Sequence, residues 1–132
     1  MSQSFYKIVE RICEKDSRYR EDAYYFIMEA LSFTQKKFKN SKHVSGQEML
    51  DGVKELLLER YGPMAMSILK HWGIRSTEDF GNIVFNLVDN AVLSKTEDDR
   101  IEHFQNVYDF EDVFNRGYRK QLAKKISRMR SF

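Results

Sequence analysis

Residues 76–108, STEDFGNIVFNLVDNAVLSKTEDDRIEHFQNVY, decide how the whole chain is read. Ser76-Thr77-Glu78-Asp79 has the form of a helix start, with acidic side chains in the first turn, and Phe80, Ile83, Val84, Leu87, Val88 and Ala91 follow at helical spacing. Beyond them, residues 92–95 and 101–108 have the composition of two short strands around the polar run Thr96-Glu97-Asp98-Asp99-Arg100. No Asn-Gly or Asp-Gly marks a tight turn between them. Read this way, a strongly amphipathic helix is followed by a small β-hairpin.

Upstream the pattern is helical. Phe5, Ile8, Val9, Ile12 and Cys13 form a stripe behind Ser4 as N-cap. A second helix over 21–38 carries Ala23, Phe26, Ile27, Ala30, Leu31, Thr34 and Phe38 on one face, with Glu21 and Asp22 at its start and Lys36, Lys37 and Lys39 at its end, as the helix dipole favours. Residues 40–43 break the pattern. Ser45-Gly46-Gln47-Glu48 then reads as a capping box opening a third helix, with Met49, Leu50, Val53, Leu56, Leu57 and Tyr61 as its apolar set. Gly62-Pro63 ends it, and a short fourth helix with Met64, Met66, Ile68, Leu69 and Trp72 stops at Gly73. From Asp109, a candidate N-cap, the spacing of Phe110, Val113 and Phe114, and later of Leu122, Ile126 and Met129, predicts helix interrupted near 115–117.

The expected fold is therefore mainly α, a single domain of about five to six helices with a small β-hairpin. A helix, a short extended link at His43-Val44, two more helices and a hairpin is the order of a winged-helix module with one extra helix at 63–72. The rival is a plain helical domain in which 92–108 is an irregular loop. Residues 1–114 are expected to form the compact body and 115–132 a basic, partly helical extension. The chain has 132 residues, 42% hydrophobic and 14% aromatic, with ten Phe, seven Tyr and one Trp. That suffices for one core without disulfide or metal staples, and is too aromatic for a disordered chain.

Six sequence blocks, HVSGQE at 43–48, YGPMA at 61–65, HWGI at 71–74, STEDFG at 76–81, IVFNLV at 83–88 and YDFE at 108–111, resemble a family of short bacterial proteins of unknown function, catalogued under a locus tag of a methanotrophic verrucomicrobium. The resemblance spans residues 5–114. It implies no reaction, cofactor or catalytic residue, and the basic extension after Phe114 departs from the family's usual ending.

Little in the chain suggests chemistry. Cys13 is the single cysteine, which excludes an intramolecular disulfide and favours a reducing compartment; its place on an apolar stripe makes it a core residue rather than a reactive thiol. Without a signal-type apolar run or a membrane-length segment, the expected localisation is cytoplasmic. His43, His71 and His103 are scattered singly, without metal-ligand spacing. Glu97, Asp98, Asp99 and Glu102 lack the pattern of a calcium loop. Ser45 stands outside any nucleophile elbow, and the glycines form no phosphate loop. No catalytic, cofactor or metal residue is assigned, and the expectation is that the protein is not an enzyme. His43, His71, Trp72, Tyr108 and Asp109 are the candidate pocket or interaction residues, polar groups beside aromatic ones.

Charge is unevenly laid out. The net charge is +2, yet residues 76–115 hold ten acidic against two basic side chains, and residues 116–132 hold seven basic and none acidic. The acidic helix and hairpin would repel a phosphate backbone, which disfavours sequence-specific duplex DNA recognition. Arg116, Arg119, Lys120, Lys124, Lys125, Arg128 and Arg130, with Tyr118 and Phe132 among them, are the candidate nucleic-acid contacts. The competing reading docks this segment on the body through Leu122, Ile126 and Met129. The leading expectation is a small binding or adaptor module acting through protein contacts on its acidic face; the alternative is an RNA or ribosome-associated binder using the basic segment.

Overall fold

The structure, a computed structural model, describes residues 3–38 and 43–129. It is mainly α: α1 (Gln3–Lys15), α2 (Glu21–Lys37), α3 (Gly46–Tyr61), α4 (Ala65–Trp72), α5 (Thr77–Asp89) and α6 (Gly117–Arg128), with single 3-10 turns at Gly62–Met64 and Ile101–Phe104 and a wide helical turn at Glu111–Arg116. Ser4 lies inside α1 rather than capping it. Lys39 and residues 40–42 lie outside the described residues.

Capping chemistry places the helix starts as expected. The Ser45 hydroxyl accepts from the Glu48 amide at 3.1 Å while the Glu48 carboxylate accepts from the Ser45 amide at 3.0 Å. Asp79 accepts from the amides of Arg75 at 2.7 Å and Ser76 at 3.2 Å, satisfying donors at the mouth of α5. Gly73 ends α4 in the left-handed region at φ 86° and lies so close to the Arg18 carbonyl that no side chain fits.

Buried apolar faces of α1 to α5 meet in one core around Tyr24, Ile27, Leu50, Leu57, Leu69, Phe80 and Ile83. A cluster of Phe26, Tyr61 and Trp72 closes one side, with ring centroids 5.2 Å apart for Phe26–Trp72 and 6.0 Å for Tyr61–Trp72. A second, of Phe80, Tyr108, Phe110 and Phe114, fastens the C-terminal stretch onto α5.

The expected β-hairpin is not formed: no strand occurs among the described residues, and the winged-helix reading falls with it. Residues 92–108 are an irregular loop carrying one 3-10 turn. Three local interactions explain this. Ala91 takes a left-handed conformation (φ 60°), so that the Val92 amide returns to the Leu87 carbonyl at 2.9 Å and the Ala91 amide to Val88 at 3.0 Å, closing the end of α5 as a Schellman turn. Asp99 accepts from the Thr96 amide at 2.8 Å, folding 96–99 into a turn of its own. The amides of Asn106 and Val107 are taken by Glu78 Oε1 at 3.1 Å and Thr77 Oγ1 at 3.2 Å, at the start of α5, leaving no ladder for a second strand. The apolar positions Ile101, Phe104 and Val107 fall three apart, and the segment buries Phe104 against α5. α5 itself is a core helix, with Phe80, Gly81, Ile83 and Leu87 buried, rather than a helix presented to a groove.

The interruption expected near 115–117 is also absent. The Gly117 amide reaches the Asp112 carbonyl five residues back, so the chain passes from a wide turn into α6 without a break.

Candidate functional site

Two features of the fold are candidates for function: a cavity beside α5 and the surface of α6.

The cavity, of about 140 Å³, is bounded by the end of α2, the start of α3, the outer face of α5 and the loop 92–104. Leu31, Met49, Val84, Val88, Leu93 and Phe104 give it apolar walls. His43, Lys95, Asp99, Arg100 and His103 also line it, and all but Asp99 are exposed. His43 Nε2 stands 3.1 Å from Asp99 Oδ2. Burial pushes the Asp99 carboxyl up, but the Thr96 amide and hydroxyl together with His43 outweigh it and hold the group below the usual carboxylate range. The segment expected to be a wing is thus one wall of this cavity.

The other candidate pocket residues are not brought to it. His71 is exposed at the end of α4, where its carbonyl accepts from Arg20 Nε at 3.1 Å. Trp72 is a core side chain. Tyr108 donates its hydroxyl to the Leu50 carbonyl at 2.8 Å, and burial pushes its phenol far up, so it stays protonated. Asp109 caps the next helical turn, accepting from the Asp112 amide at 3.0 Å. Burial likewise raises the Cys13 thiol, whose Sγ lies 3.6 Å from the Tyr19 carbonyl.

A polar network that the periodicity of the chain does not signal joins the α1–α2 loop to α5. Asn86 Nδ2 donates to Asp16 Oδ2 and to the Tyr24 hydroxyl, both at 3.0 Å, and Asn82 Nδ2 donates to the Tyr19 hydroxyl at 2.9 Å, which in turn donates to Asp79. Hydrogen bonds from Arg18, then from Asn86, hold the Asp16 carboxyl well below its usual range against the opposing effect of burial. Burial raises the Tyr24 phenol to about 12. These groups satisfy one another, and no buried side-chain polar atom among the described residues lacks a partner. The spacing of Asn82 and Asn86, one helical turn apart beside the apolar stripe, was the available sequence signal.

α6 is the second feature. No residue of it is buried, and Leu122, Ile126 and Met129 are 41%, 60% and 66% exposed. Leu122 borders a shallow groove with Pro63, Met66 and Phe114, and none of the three side chains is buried on the body. Arg116 pairs with Asp112 at 3.2 Å, whereas Arg119, Lys120, Lys124, Lys125 and Arg128 form no ion pair among the described residues. Tyr118 leans on Gly62, which leaves its ring partly covered rather than free to stack a base. Arg130 and Phe132 lie outside the described residues.

Among the described residues there is no cluster of three or more His, Cys, Asp or Glu able to hold a metal ion, and no helix is long and apolar enough to cross a membrane. Comparison with protein-family models, with curated proteins and with solved structures found no match.

Proposed function

We propose that the protein is a small non-catalytic binding module whose working element is α6, presented as an amphipathic helix to an apolar groove with an acidic rim on a protein partner. The observation that carries this is the exposed stripe Leu122, Ile126, Met129, spaced i, i+4, i+7 along one face. At 100° per residue, Arg119 and Lys125 flank that stripe about 60° to either side, and Lys120, Lys124 and Arg128 lie within an arc of about 80° on the opposite face. Anchors at this spacing with cationic flanks match the helix-in-groove mode of recognition. This reading takes α6, rather than the acidic face of 76–115, as the contact surface.

A second reading, contact with RNA, is favoured by one fact: residues 116–132 carry seven cations and no acid. Charge alone supports it. Two variants separate the readings when full-length protein is captured from native lysate at low and raised salt: Leu122→Asp with Ile126→Asp, and Lys124→Glu with Lys125→Glu and Arg128→Glu. The helix-in-groove reading expects the first variant to lose one defined protein partner at either salt. RNA recovered with the first variant, and lost with the second and with raised salt, would establish the second reading instead.

A further inference from the structure

The cavity beside α5 has a composition that specifies a ligand. One part of its wall, from Leu31, Val84, Val88, Leu93 and Phe104, is apolar, and at about 140 Å³ it has the size of cavities that accept one benzene-sized group. Leu31, Val84, Val88 and Leu93 are only partly buried although they pack on the core. The charges that line it are uneven. Asp99 is already engaged by Thr96 and His43. Lys95 and Arg100 are exposed and form no ion pair among the described residues. Residues 76–115 contain ten acidic side chains and only these two basic ones, and both line the cavity. An otherwise acidic stretch thus places its only two cations where an apolar hole meets water.

We infer that this cavity is a binding site for a small monocarboxylate with an apolar body of about six carbon atoms, the body seated among Val84, Val88 and Leu93 and the carboxylate held at the mouth by Lys95 and Arg100. The guanidinium and ammonium groups supply charge-assisted hydrogen bonds that a neutral analogue does not draw on. The site is separate from α6, so neither reading of α6 bears on it.

Titration of the full-length protein with benzoate, hexanoate and neutral benzyl alcohol, followed by amide NMR shifts, tests the assignment. Saturable shifts confined to residues around the cavity are expected with all three. Lys95→Glu with Arg100→Glu, at two exposed positions, is expected to weaken benzoate and hexanoate about tenfold or more and to leave benzyl alcohol within about twofold. Val88→Phe is expected to abolish all three by filling the hole; if that variant does not fold, the charge reversal still decides. Absence of saturable shifts overturns the site, as does unchanged binding to folded Val88→Phe. Equal loss of the charged and neutral probes on charge reversal, or no loss of either, overturns the carboxylate assignment.

Discussion

Phe104 packs tightly against Gly81: a Cβ at position 81 would stand 2.8 Å from both Cβ and Cγ of Phe104. This contact seats the loop 92–109 on α5 and forms one wall of the cavity. Gly81→Ala must therefore push Phe104 out of its place, at a cost of about 1–3 kcal/mol, and Phe104→Ala should cost about 3 kcal/mol through the cavity it leaves. The two are coupled. In the Phe104→Ala background the ring is gone and only the Cβ at position 104 still stands near the added methyl, so Gly81→Ala should then cost less than in the parent protein. Urea unfolding of the four proteins measures this, and additive costs would mean that the contact is not what positions the loop.

Ala91 occupies a backbone conformation that glycine adopts without strain, at φ 60°. Ala91→Gly keeps the hydrogen bonds that close α5 and removes that strain, so it should raise the unfolding free energy by about 0.5–1 kcal/mol. The same denaturation experiment reads the gain as a higher midpoint with an unchanged slope.

The polar network at Asp16 is expected to contribute to the acid limit of stability. Its carboxyl is held below the ordinary value by Arg18 and Asn86, so its contribution is complete above the unfolded-state pKa of about 3.9 and is lost as pH falls below about 4. Asp99, also lowered, acts in the same direction. Asp16→Asn should lower stability at neutral pH and flatten the acid limb between about pH 4 and pH 2, which thermal unfolding across that range detects. An acid limb as steep as that of the parent protein would show that Asp16 is not the group responsible.

How far the sequence reaches is visible at particular residues. Capping signals are local, and so Ser45 with Glu48, Gly62-Pro63, Gly73 and Asp109 were legible, as were the apolar stripes of the first five helices. The composition of 101–108 points to a strand without making one, because the same apolar and aromatic residues suit an irregular segment that buries one large side chain, Phe104, on a neighbouring helix. What decides between them is whether backbone donors meet another strand or side chains, and Thr77 and Glu78 supply that answer from about 30 residues away. The stripe Leu122, Ile126, Met129 was legible as a helix face; whether the chain itself covers it depends on where α6 points, which no spacing encodes. The cavity was only half visible: His43 stood out as a lone histidine, whereas Lys95 and Arg100 gain meaning only once 92–104 folds beside α5.

An exposed stripe contributes little to folding. Ile126→Ser and Met129→Ser should change the unfolding free energy by no more than about 0.5 kcal/mol each, since both side chains are largely exposed in the free protein. A loss of several times that amount in urea unfolding would show that α6 packs on the body in solution.

The central claim is that the Leu122–Ile126–Met129 face of α6 meets a protein partner, and site-specific photo-crosslinking in cells tests it most directly. A benzophenone side chain at position 126 should give one discrete protein adduct that disappears when Leu122→Asp is added, while the same probe at exposed Lys7 on α1 should not give that adduct. No adduct at 126 beyond that at position 7, or adducts with nucleic acid alone, would contradict the account.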